Sequence, residues 1–177
     1  MRFVLKNQVL EIDNFDLFKI TEGQALAYFD SLKAHIAYVT EAGARLGLTL
    51  REHDRSKLTI AEFPHYVRQF HGDKADPDGF ALAFAHHVHC NAHHWQHWIV
   101  PQGFTYPESC LRMPRRYIRE MVADWLGASR TYTGSWDMTE WLYKNLGNVK
   151  LHPTTWSSLA ATLTEIGYDG NGLVYGR

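Results

Sequence analysis

The sequence is poor in the features that usually assign a chain quickly. It has two cysteines, Cys90 and Cys110. They form no CxxC pair and no disulfide framework, so a reducing, cytoplasmic setting is expected. Neither sign of charge is in surplus: 18 Lys and Arg face 19 Asp and Glu, for a net charge of −1. A duplex-DNA binder relies on a basic surplus to neutralise phosphates, and none is present. No apolar run approaches the ~20 residues that span a bilayer, so no membrane partner is expected. The opening stretch "MRFVLKNQVLEIDNF" lacks a charged leader followed by a continuous apolar region and a cleavage site. There is no internal repeat, no low-complexity tract and no evident domain boundary.

What is present is an ordinary globular composition. The 177 residues are 45% hydrophobic and 21% charged, enough for a single domain with one real core. Residues 1–20 alternate apolar runs around Lys6-Asn7-Gln8 and read as a short hairpin or extended arm. Thr21 and Gln24 have capping-box spacing. Leu26, Phe29, Leu32, Ile36, Val39 and Leu46 then follow at helical intervals as far as Gly47. Thr59 and Glu62 form a second capping-box pattern, opening a helix through Phe70. "HGDKADPDG" is a loop by composition, and helical sequence runs from Phe80 to Trp98 with a break in prospect near Asn91. Residues 101–112 read as a loop. Pro114 opens a further helix, two more begin near Asp137 and Thr154, and the Gly-rich tail "GYDGNGLVYGR" reads as irregular. The expected fold is mainly α: a helical bundle over residues 21–177 behind an N-terminal arm.

Residues 85–98, "AHHVHCNAHHWQHW", hold six of the chain's eleven histidines. On a continuous helix at ~100° per residue, Phe84, Val88, Ala92 and Trp95 form the core stripe, with Ala81 and Ile99 beside it. His86, His89, His93 and His97 fall on the opposite side, where a solvated role is the ordinary one. His87, Asn91, His94 and Trp98 line the border of the stripe. Such a border gives rigid packing on one side and an open cleft on the other, the setting of most metal and catalytic groups. A break near Asn91 would swing His93 or His94 inward and exchange their roles.

The segment "HDRSK" adds His53-Asp54, a nitrogen and a carboxylate oxygen for one metal, followed by Lys57, a cation able to hold a phosphate. His35 lies at the border of the first helix's apolar face, and Asp124 lies in "EMVADW". The order His35, His53-Asp54, Lys57, His87, His94, Asp124 resembles the HD-domain metal-dependent phosphohydrolase superfamily. That resemblance implies an all-helical fold in which His35, His53, Asp54 and Asp124 hold a first divalent ion, with His87 and His94 as candidates for a second. The chain departs from the superfamily in a short interval between His35 and His53 and in Ser56, where the pattern has glycine. Asp124 sits off its helix's apolar stripe, and Glu120 rivals it. More closely, "HDRSKLTIAEF", "NAHHWQHW" and "MVADWLGASRTYTGSWDMTEWL" resemble the DUF5662-type proteins of bacteria and phages over about residues 30–165, a resemblance that implies no activity.

Arg115, Arg116 and Arg119 crowd the start of the Pro114 helix, against its dipole. A bound phosphate would account for them, and so would salt bridges to acidic segments. Trp95, Trp136, Trp141 and Trp156 are most simply core, whereas Trp98 and Tyr106 could stack a base. The expectation is a metal-dependent phosphohydrolase for a nucleotide or related phosphate ester. Its cofactor would be one or two divalent ions (Mn, Fe, Co, Ni, Zn or Mg, not Ca, since nitrogen ligands dominate). Asp54 would bind metal and orient water. Lys57 and Arg119 would stabilise charge in the reaction, and Lys57, Asn91, Arg115, Arg116 and Trp98 would bind substrate. One rival is an iron–dioxygen carboxylate bundle, for which Glu62 and His65 have the spacing but a second pair is missing. The other is a metal-stabilised binding module, such as a phage protein that sequesters a nucleotide or host factor. Self-association is left open.

Overall fold

In the computed structural model, which describes residues 1–100 and 109–176, the chain starts as a hairpin. β1 (Arg2–Leu5) pairs antiparallel with β2 (Gln8–Glu11), setting Phe3 opposite Leu10 and Val4 opposite Val9. Side chains alternate across a strand, so Phe3 and Leu10 are buried while Val4 and Val9 face solvent. Seven α-helices follow among the described residues: α1 (Glu22–Arg45), α2 (Phe63–His71), α3 (Pro77–Cys90), α4 (Arg115–Thr133), α5 (Thr139–Asn145), α6 (Pro153–Glu165) and α7 (Gly170–Tyr175). The fold is mainly α with an N-terminal hairpin, as the sequence pattern predicts. The loop expected at 101–112 falls largely on residues outside those described, and so does Tyr106.

The chain divides into two compact units whose segments interleave. The first is Met1–Ile36 with Glu52–Asn91, and the second is Ala37–Arg51 with Ala92 onward. α1 runs through the first boundary without interruption, which is why no linker composition marks it. In the first unit the hairpin is part of the core. Phe3 packs on Phe29 and Phe63 with ring centroids 5.2 and 4.8 Å away, among Leu10, Ile12, Leu32, Ile36, Leu58 and Val67. Full burial of each such side chain is worth about 1.5–3 kcal/mol.

The second unit gathers Val39, Leu46, Ile118, Met121, Val122, Leu126, Leu142, Leu159 and Leu163. The chain turns out of α1 at Gly47, whose φ of 68° is cheap only without a Cβ. The Leu48 amide then donates back to the Gly43 carbonyl at 2.8 Å, closing the helix end. α4 packs so tightly on α1 that a Cβ on Gly127 would lie 2.7 Å from the Val39 nitrogen.

Four local expectations are corrected. The Thr59–Glu62 box does not form: the Thr59 hydroxyl donates to the Ser56 carbonyl, and α2 starts only at Phe63. The helix expected over 80–98 starts earlier, at Pro77, where Asp76 caps it by accepting from the Gly79 amide at 3.0 Å. It ends at Cys90, at the break in prospect near Asn91, and a single 3₁₀ turn covers Trp95–Trp98. Its buried face is Ala83, His87 and Val88, with Phe84 37% exposed, so the stripe expected from one continuous helix does not hold. The tail is not irregular: Asp169 caps α7 through the Gly172 amide, and Gly170 allows close packing on Ala160 of α6.

Candidate metal centre

The first unit brings four of the expected ligands together. His35 projects from α1 beside Leu32 and Ile36. His53 and Asp54 follow in the turn before the 3₁₀ segment Arg55–Leu58, and His87 comes from the buried face of α3. All four are at most 6% exposed. Two consecutive side chains such as His53 and Asp54 cannot both point inward from regular helix. Asp54 solves this by adopting φ 54°, ψ 23°, a left-handed conformation that Asp tolerates better than most residues.

The Asp54 carboxylate lies at the centre. Its Oδ2 is 3.3 Å from His35 Nε2 and 3.6 Å from His53 Nε2, and its Oδ1 is 3.4 Å from His87 Nε2. Lys57 Nζ reaches Oδ2 at 2.5 Å. Burial on its own would raise the pKa of this carboxyl group. The charges of His53, Lys57 and His87, with a hydrogen bond from His35, outweigh burial and hold it well below the ordinary value. Asp54 is therefore a permanent anion at neutral pH: a strong ligand and a weak proton acceptor.

Glu62 completes the arrangement from behind. It is fully buried, with Oε2 2.9 Å from His87 Nδ1 and Oε1 2.6 Å from His86 Nδ1. Burial would raise its pKa as well, but its hydrogen bonds and the His87 charge bring it below the ordinary glutamate value. A carboxylate on Nδ1 fixes the imidazole tautomer and leaves Nε2 as a donor atom, the usual outer support of a metal-bound histidine. Ser56 Oγ lies 3.2 Å from the same Nδ1, and the Asn91 amide donates to Ser56 Oγ at 2.6 Å and to the His87 carbonyl at 2.8 Å. Asn91 thus positions His87 and ends α3. By its spacing from Thr59, Glu62 reads as a helix-cap residue, and its contacts to His86 and His87 carry no local sequence signal.

The second unit holds the remaining expected ligands. Because α3 stops at Cys90, His93 turns inward and is 2% exposed, the exchange of roles that a break near Asn91 entails. His93 Nδ1 is 3.5 Å from Glu120 Oε1, and its Nε2 is 3.9 Å from Asp124 Oδ2, so both rival carboxylates of α4 face one imidazole. His94 is half-buried, its ring 4.3 Å from that of His93. His94 and Asp124 also line a cleft of about 340 Å³ with Trp95, Gln96, Trp125 and Trp141.

The other expected residues lie as follows. Arg119 donates to the Leu46 carbonyl and pairs with Glu165, which also lies 3.8 Å from Arg115. Arg116 is exposed and sits over the ring of Tyr117. Trp98 donates its indole N–H to the Ala92 carbonyl at 2.8 Å and packs near Tyr117, away from the cleft's lining. Glu62 and His65 do not converge: His65 lies 3.3 Å from Asp76.

In the first unit, His35, His53 and Asp54 offer atoms within 4.8 Å of one another. Two imidazoles and one carboxylate, with His87 Nε2 3.4 Å from that carboxylate's other oxygen, suit Zn, Mn, Fe, Co or Ni better than the all-oxygen ions Ca and Mg. Among known proteins, the model of a family of unknown function, DUF5662, matches residues 24–165. No curated protein and no solved structure matches the chain.

Proposed function

The chain belongs to the DUF5662 family, and since that family's function is unknown, we propose one from the chain's own residues: a metal-dependent phosphohydrolase for a nucleotide or related phosphate ester. The observation that carries the reading is the convergence of His35, His53 and His87 on an ionised Asp54, with Glu62 orienting His87. These four would hold a divalent ion, and the HD-domain resemblance points to the same doublet. When bound, the ion would lower the pKa of a water molecule and neutralise phosphate oxygens.

The residues divide the remaining work. Asp54 is too acidic to take a proton from water at neutral pH, so it orients water by accepting a hydrogen bond. Lys57 joins His53 in keeping Asp54 ionised and, being 16% exposed at its side chain, presents a cation toward an incoming phosphate. Glu62 holds the His87 tautomer, and Asn91 and Ser56 keep that ring in place.

One observation favours a second reading. The two cations assigned to stabilising charge in the reaction already face carboxylates, Lys57 at Asp54 and Arg119 at Glu165. A metal-stabilised binding module would need no free cation. Phosphate release from a nucleotide panel and from p-nitrophenyl phosphate, with Mn or Zn added, separates the two. The hydrolase reading expects chelator-sensitive turnover that Asp54→Asn abolishes while the helical signal by circular dichroism persists. Asn is the right replacement, because it also accepts the left-handed backbone and Ala would add about 1 kcal/mol of strain. Metal binding without any release on the panel would favour the binding module, and full turnover by Asp54→Asn would remove the centre of the proposal.

A further inference from the structure

Beyond the expected ligands His94 and Asp124, the cleft in the second unit carries aromatic surface that the metal chemistry does not use. Of its lining, Trp95, Trp125 and Trp141 are indoles, and Trp125 and Trp141 lie with ring centroids 5.0 Å apart at 46°. Trp141 is 40% exposed although it is large and aromatic. Its neighbours at the cleft are polar: Gln96, Asn145, Asn148 and Asp124. Aromatic surface with a few amides and a carboxylate is what a planar, hydrogen-bonding heterocycle requires, since indoles stack on its face and polar groups read its edge. At about 340 Å³ the cleft is within the ~300–1,000 Å³ of small-molecule sites.

Gln96 supplies the independent observation. Its side-chain oxygen is buried yet accepts no hydrogen bond among the described residues. A buried acceptor left without a donor is costly and uncommon. It lines the cleft, so a ligand N–H is the natural donor for it. Asp124 adds a carboxylate, a second acceptor. Two acceptors ask for an edge rich in donors, which among the common bases is that of guanine, with its ring N–H and its amino group side by side. Adenine presents one amino group beside a ring acceptor.

We propose that this cleft is a nucleobase site, with Trp95, Trp125 and Trp141 providing the stacking surface and Gln96 and Asp124 accepting from the base edge, guanine in preference to adenine. The proposal rests on the nucleotide reading for its biological sense, but the cleft's recognition of a base is separable from hydrolysis. Trp95 packs against the second unit's core as well as lining the cleft, whereas Trp98, a candidate stacking residue by sequence, lies outside the lining.

The test is isothermal titration of the full-length protein with guanosine and adenosine, which carry no phosphate. Saturable binding is expected, with guanosine at least about fivefold tighter. Two variants keep the test independent of folding. Trp141→Ala alters an exposed side chain, and Gln96→Met keeps the volume while removing the acceptor. Each should weaken guanosine by about tenfold or more with the melting temperature held. No nucleoside binding, or binding that both variants leave unchanged, overturns the base site. Hydrolysis of p-nitrophenyl phosphate reports the metal chemistry alone. If it persists while nucleosides fail to bind, only the base site falls. If nucleosides bind and no phosphate ester is cut, only the hydrolase reading falls.

Discussion

Replacing Glu62 by Gln changes one buried oxygen to an NH₂ group and little else in shape. The carboxylate accepts from both His86 Nδ1, at 2.6 Å, and His87 Nδ1, at 2.9 Å. A glutamine can accept from only one of them, and its NH₂ must face the other. If the NH₂ faces His87, it favours an unprotonated Nδ1 and therefore a proton on Nε2. That is the atom 3.4 Å from Asp54 and the one a metal would use. Changes to such outer carboxylates typically cost about 10–100-fold in metal affinity. At ~1.4 kcal/mol per tenfold, the expected loss is about 1.4–2.8 kcal/mol, comparable to losing one hydrogen bond to a charged group. The assay is competition for Zn against a chromophoric chelator, run beside thermal melts of the metal-free protein. Affinity within twofold of the wild type would refute the reasoning, because it would show that Glu62 does not set the His87 tautomer.

Further outcomes follow from features outside the metal centre. Arg68 hydrogen-bonds Asp73 at 2.8 and 3.2 Å, and with the Ala75 amide it lowers that carboxyl pKa to about 2. A depressed acid stabilises the fold above its unfolded pKa of ~3.9 and loses that contribution as pH falls toward about 2. A carbon-detected NMR titration should show this low value, and Arg68→Gln should move it up toward the ordinary range; an unmoved titration would contradict the assignment. Gly127→Ala should destabilise by about 1–3 kcal/mol, because the added methyl would meet Val39. Urea melts check this, and an unchanged midpoint would mean that α1 and α4 can part without cost.

Some of this was legible because it is local. The Thr21–Gln24 box forms reciprocally, with the Thr21 amide 2.8 Å from Gln24 Oε1 and the Gln24 amide 3.2 Å from Thr21 Oγ1. The helical phase of His35 likewise needed only short-range pattern, whereas the doublet His53-Asp54 drew its meaning from Lys57 and the HD-domain resemblance. Glu62 was illegible for a definite reason. Its spacing from Thr59 satisfies a capping box, whereas its true partners lie 24 and 25 residues away on α3. The break at Asn91, with His93 or His94 turned inward, is legible as an alternative to the continuous helix; its realisation goes with the long-range Asn91 contact to Ser56, which no local pattern shows. The interleaving of the two units was hidden because continuous α1 serves both, so no change in composition marks the passage.

The central claim is that His35, His53, Asp54 and His87 are a metal site and not a buried polar cluster. Elemental analysis of protein purified without chelators, then loaded with Zn or Mn and desalted, tests it most directly. The first unit alone predicts about one ion per chain, and single alanine substitutions of His35 or His87 should reduce it to less than about a tenth. His89→Ala, on the exposed side of α3, should retain the full equivalent. Persistently metal-poor wild-type protein, whose melting temperature does not move on addition of either ion, would contradict the account.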